Sequence, residues 1–140
     1  MRLPRSPAGW TMAVFGVLAI IMGVVGLLSP DTLLKSLGFE VLGSRPPGDY
    51  TKTFMAASSM ASFNMGVYYL VAVATEWRPF YLFTVVFRLV TCTVFTGLVV
   101  TEAAPARFFG VAAWEGLGAV ATGVALWFER KRKTSVPSNP

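Results

Sequence analysis

Apolar residues gather in four runs, 8–28, 53–75, 80–101 and 108–128, each 21 to 23 residues long. About 20 residues at 1.5 Å per residue cross a hydrocarbon core about 30 Å thick, so every run has the length of a transmembrane helix. None alternates with the two-residue period of a barrel strand, and an open strand cannot satisfy its backbone in lipid. The pattern predicts an all-α polytopic membrane protein. The connections EWRP and EAAPAR are short, which makes the second, third and fourth runs antiparallel neighbours in an up-down-up-down four-helix bundle. The first run follows Arg2 and Arg5 as a signal peptide would. It exceeds a typical signal core, however, and GLLSPDT offers no small-x-small cleavage site, so it is read as a retained helix.

One connection is long. In SPDTLLKSLGF, Ser29 reads as an N-cap, Pro30 as the first helical residue and Asp31 as a first-turn acid. Leu33, Leu34 and Leu37 then share a side and Gly38 stops the turn, predicting a short amphipathic helix on the outer interface with Phe39 beside it. It is either a lid over the outer end or a plain connector. Residues 1–7 form a cytoplasmic N-terminus, 8–128 the transmembrane domain and 129–140 a basic, disordered cytoplasmic tail.

Composition fits this picture: 54% of residues are hydrophobic, 14% are charged and the mean hydropathy is +0.60. Seven Lys and Arg residues flank one side of the spans (Arg2, Arg5, Arg78, Arg130, Lys131, Arg132, Lys133) and four the other (Lys35, Arg45, Lys52, Arg107). By the positive-inside rule both termini face the cytoplasm, whether of a bacterial inner membrane or the endoplasmic reticulum. The ERKRK cluster is a membrane-flanking anchor for anionic headgroups, not a nucleic-acid site. With no histidine and Cys92 as the only cysteine, no metal site and no cofactor is expected.

Small residues at helical spacing supply packing faces: Ala19, Gly23 and Gly26 in the first run, Ser58, Ser62 and Gly66 in the second, Ala112, Gly116, Ala119 and Gly123 in the fourth. Trp10, Trp77, Phe80, Tyr81, Phe108, Phe109 and Trp127 mark headgroup levels, while Tyr68, Phe87, Phe95 and Trp114 fall deeper, as core filler or cavity lining.

Two charges stand inside the runs. Arg88 lies about 12 Å and Glu115 about 20 Å from the cytoplasmic level, with Asn64 between them at about 15 Å. A central arginine costs about 2.5–3.5 kcal/mol on insertion scales, which calls for a partner. Thr84, Thr91 and Cys92 extend the polar stripe around Arg88, and Thr122 shares a face with Glu115. Two readings stay open for the set Asn64, Thr84, Arg88, Thr91, Glu115 and Thr122. It is a structural network that fixes register, or a midplane pocket in which Glu115 as acid or base and Arg88 as its charge partner are candidate catalytic residues for a lipophilic molecule.

With four runs, an interfacial helix after the first and the wording GLLSPDTLLKSLGF, the chain resembles the small DoxX-like four-helix membrane proteins. Its basic C-terminus and the turn Ala103, Ala104 and Pro105 are similar to the family of small four-helix endoplasmic-reticulum scaffold proteins of sterol biosynthesis. These resemblances imply a four-helix membrane fold and bring no catalytic residue. The expected function is an accessory or scaffold protein in the bilayer, partnered by a larger membrane complex, a second copy or a lipophilic small molecule. The alternative is a small membrane enzyme, such as an isomerase, cyclase or oxygenase component of lipid or secondary-metabolite biosynthesis.

Overall fold

Ser6 and Pro7 set the first helix. Ser6 sits at the N-cap with extended backbone and its Oγ accepts the Gly9 N–H at 3.0 Å, while Pro7 takes a position whose amide needs no helical partner. Helix α1 then runs Pro7–Leu28, and Ser29 with Pro30 turns the chain into α2, Pro30–Ser36. Ser29 makes no side-chain bond to the α2 backbone; its hydroxyl meets that of Thr32 at 2.6 Å instead. Helices α3, Thr51–Ala74, α4, Arg78–Val100, and α5, Phe109–Thr134, follow, with a 3-10 turn at Ala106–Phe108 before α5. The structure, a computed structural model, describes residues 4–134. It contains no strand among them.

Three helical segments, Pro7–Leu28, Arg78–Val100 and Ala106–Arg132, are long and apolar enough to cross a membrane. Helix α3 matches them in length but not in apolarity, because Asn64 and the serines 58, 59 and 62 interrupt it. Some of that polarity is turned inward: Ser59 is buried with its Oγ donating to Met55 O, and Ser62 Oγ donates to Ala19 O of α1 at 3.0 Å. The last helix also differs from expectation. It continues past Phe128 through Glu129 and the basic cluster to Thr134, since straight-chain Glu, Arg and Lys are good helix formers. Of the expected disordered tail, residues 135–140 lie outside the described residues.

Small residues decide which helices touch. Gly23 of α1 faces the backbone of Ser59 and Phe63, and Gly16 meets Gly66 and Tyr69, so α1 and α3 lie antiparallel at close range. Gly116 and Gly123 of α5 face Cys92 and Val85 of α4 in the same antiparallel sense. Thr11 and Thr122 share a hydrogen bond of 3.0 Å that joins α1 to α5. A core of Ala8, Met12, Tyr69, Ala72, Val73 and Tyr81 fills the terminal end, where α1 starts.

Each end has a cap. At the α2 end Leu33 and Leu34 are buried, Gly38 adopts the left-handed φ of +86° that closes the helix, and Phe39 stacks edge-on against Phe108. At the terminal end Glu76 takes the corresponding left-handed position, φ +49°, with Trp77 N–H returning to Ala72 O. Its carboxylate accepts the Arg5 N–H at 2.8 Å and the Ser6 hydroxyl at 2.9 Å. Glu129 does the same from α5, accepting the Ala8 N–H at 2.9 Å and pairing with Arg78 at 2.7 Å. Two carboxylates therefore hold the positive end of the α1 dipole.

Candidate functional site

Helix α4 places Arg88 inward because Thr84 and Tyr81 share its face one and two turns earlier, and all three are buried. The guanidinium meets at least one group from every other long helix. Its Nε donates to the Tyr69 hydroxyl of α3 at 3.3 Å and lies 3.6 Å from Glu115 Oε2 of α5. The Phe15 ring of α1 covers the guanidinium carbon at 4.1 Å, and the Tyr69 ring stands 5.2 Å away. Nη1 rests on Gly118, where a Cβ would collide with it. Stacking on aromatic faces and the nearby carboxylate offset the cost of a buried cation.

The arrangement is not symmetric in its hydrogen bonding. Arg88 Nη1 is buried without a hydrogen-bond acceptor. Glu115, at 21% side-chain exposure, receives no hydrogen bond from the described residues, and 3.6 Å is an ion-pair distance too long for one. An ion pair with free acceptor capacity can position a polar group of a lipophilic molecule or fix the helices, and its geometry is compatible with either.

The other residues singled out in the sequence are placed separately. Asn64 forms no hydrogen bond or ion pair with Arg88 or Glu115; it lies five residues from Tyr69, about 140° around the helix, and Tyr69 is the α3 residue that reaches the arginine. Thr84 and Thr91 donate to Phe80 O and Phe87 O of their own helix, at 2.8 and 3.0 Å. Thr122 is buried and bonded to Thr11. Of the deeper aromatics, Tyr68 is 54% exposed and Phe87 53%, both on the outer surface, whereas Phe15 packs against Trp114 at 4.5 Å and Phe95 against Phe108 at 5.2 Å.

Sequence reasoning passed over Phe15 and Tyr69. The available signal for Tyr69 was chemical, since a phenol inside an apolar run needs a partner for its hydroxyl, and a cation on the next helix in sequence supplies one. Among the described residues no group of three metal-ligating side chains assembles. No family model matches the chain, nor does any curated protein or solved structure.

Proposed function

We propose that the chain is a multi-pass integral membrane protein whose four long helices, α3 included, form an up-down-up-down transmembrane bundle with both termini in the cytoplasm. In this reading it acts as a non-catalytic accessory or scaffold protein for a larger membrane assembly. One observation carries the proposal: Arg88 is enclosed by Phe15, Tyr69, Glu115 and Gly118, one contact set per neighbouring helix, so its charge fixes how four helices meet. Buried polar groups that set register are an attested use of such charges. Helix α4 meanwhile turns Leu82, Phe83, Val86 and Phe87 outward, each more than half exposed, toward lipid or a partner helix. The short α2 after the first span supports a place among the DoxX-like proteins on architecture alone.

A second reading, the small membrane enzyme using Glu115 and Arg88, is favoured by the partly exposed Glu115 carboxylate that accepts no hydrogen bond. Photo-crosslinking in native membranes from Phe83 and Phe87 separates the two. A discrete adduct to one membrane protein that co-purifies in fixed ratio is expected. Adducts to lipid alone, together with turnover of a lipophilic substrate by the purified chain that Glu115→Gln abolishes, overturn the accessory role in favour of the enzyme.

A further inference from the structure

The inward face of α4 changes character at Arg88. Tyr81, Thr84 and Arg88 are 0%, 4% and 5% exposed, and they are the buried residues of the helix. The same stripe continues at helical spacing through Thr91, Cys92 and Phe95, yet all three are partly exposed. On the facing helix, Ala112 and Ala119 are buried and Glu115 between them is 21% exposed, although all three lie on one side of α5. Contacts between α3 and α4 show the same division. Ala72 with Tyr81, Tyr69 with Phe80 and Tyr69 with Arg88 tie the two helices at the terminal end, and no described hydrogen bond, ion pair or ring contact joins them beyond Arg88. From Arg88 to Phe95, which meets Phe108 and through it Phe39, this stretch of α4 is about 10 Å long at 1.5 Å per residue.

We propose that α3 and α4 part above the arginine and that the cleft between them is a binding site for a neutral lipophilic alcohol, which enters sideways from the bilayer and donates a hydrogen bond to the Glu115 carboxylate. The proposal rests on the reading of the chain as membrane-spanning, which places the opening in lipid. Polar groups along the cleft define the ligand. Thr91 already donates to its own helix and Arg88 Nη1 is pressed on Gly118, which leaves the Glu115 oxygens as the charged acceptor without a donor among the described residues. Arg88 offsets the charge of Glu115, so an ionised fatty acid or amine would bring an uncompensated charge into a low-dielectric site. A hydroxyl satisfies the carboxylate without that cost. The apolar body of the ligand lies against Phe95 and the methyl of Thr91, and its tail extends into the bilayer.

The test uses the full chain in lipid nanodiscs with four diazirine probes of equal length: a long-chain alcohol, the matching fatty acid, the matching amine and the matching alkane. The alcohol is expected to label peptides of the outer half of α4 and of α5 around Glu115 at least about tenfold above the others, the factor one hydrogen bond to a charged group supplies. Glu115→Leu should remove that preference. Because this variant leaves Arg88 without its carboxylate, Thr91→Phe provides a second measurement that fills the cleft with the ion pair intact; loss of alcohol labelling is expected there too. Equal labelling by all four probes, preference for the acid, amine or alkane, or undiminished alcohol labelling in Thr91→Phe overturns the proposal. Cysteine accessibility of the α3 ends, read on the same samples, reports separately on whether the chain crosses the bilayer as proposed.

Discussion

Gly118 forms the floor beneath the Arg88 guanidinium: Nη1 occupies the space that a side chain at position 118 would need. The arginine and the glycine are one device, a cation that fits because a neighbouring helix has no Cβ there. Gly118→Ala should therefore displace Arg88 from Tyr69 and Glu115 and destabilise the protein by about 1–3 kcal/mol, the usual cost of overpacking. Thermal unfolding in detergent micelles measures it.

The ion pair makes a different prediction. Removing one member leaves a buried charge without its partner, so Glu115→Gln or Arg88→Gln alone should cost about 3–5 kcal/mol. Replacing both by Met should cost less than the sum, and a double-mutant cycle on unfolding in denaturant reads the coupling directly. Coupling near zero would mean that the 3.6 Å contact contributes nothing to the fold.

Tyr69→Phe keeps the ring beside the guanidinium and deletes only the acceptor of Arg88 Nε. A loss of about 1.5 kcal/mol is expected, the low end for a hydrogen bond to a charged group given its 3.3 Å length. Tyr68→Phe, at an exposed position, should change stability by less than about 0.5 kcal/mol.

Glycines divide by what surrounds them. At Gly66 a Cβ would press on the backbone of α1 at 2.5–2.9 Å, so Gly66→Ala should push α1 and α3 apart and cost about 1–3 kcal/mol. Gly97 has open space around it, and Gly97→Ala should be neutral or stabilise by up to about 1 kcal/mol through helix propensity. Disulfide cross-linking of paired cysteines across α1 and α3 would register the first change and not the second.

Outside the spans, Asp49 is held well below the usual carboxylate range, at about 2, first by the Thr51 hydroxyl and amide and then by Arg45. A carboxyl with a lowered folded-state pKa contributes stability that is complete above its ordinary value and is lost as pH falls through the folded value. Acidification from pH 4 to 2 should therefore loosen the start of α3, where Asp49 accepts the Thr51 N–H, and Asp49→Asn should largely remove this pH dependence. Hydrogen exchange of the first turn of α3 across that range is the measurement.

The helices were legible because apolar runs of spanning length leave few alternatives, and SPDTLLKSLGF carried the turn chemistry of α2 in plain view. Arg88 and Glu115 stood out as the charges within those runs, and they lie 3.6 Å apart. The sequence misdirected attention to Asn64, since height along a helix is readable from residue count but the facing side is not, once α3 has no clean apolar stripe. Tyr68 and Tyr69 are adjacent and chemically identical, yet one is exposed and the other meets the arginine; the packing of α3 on Gly16 and Gly23 of α1 decides which way it is turned. The end of α5 was hidden for another reason. A charge run ends the apolar pattern without ending the helix.

The clasp at the terminal end has a consequence in time. The Ala8 amide finds its acceptor in Glu129, 121 residues later, and the Arg5 amide finds its own in Glu76. During synthesis the bond to Glu129 can form only after the 121 residues from Ala8 onward have been made. The opening turn of α1 thus waits for the far end of α5 before it is fully fastened.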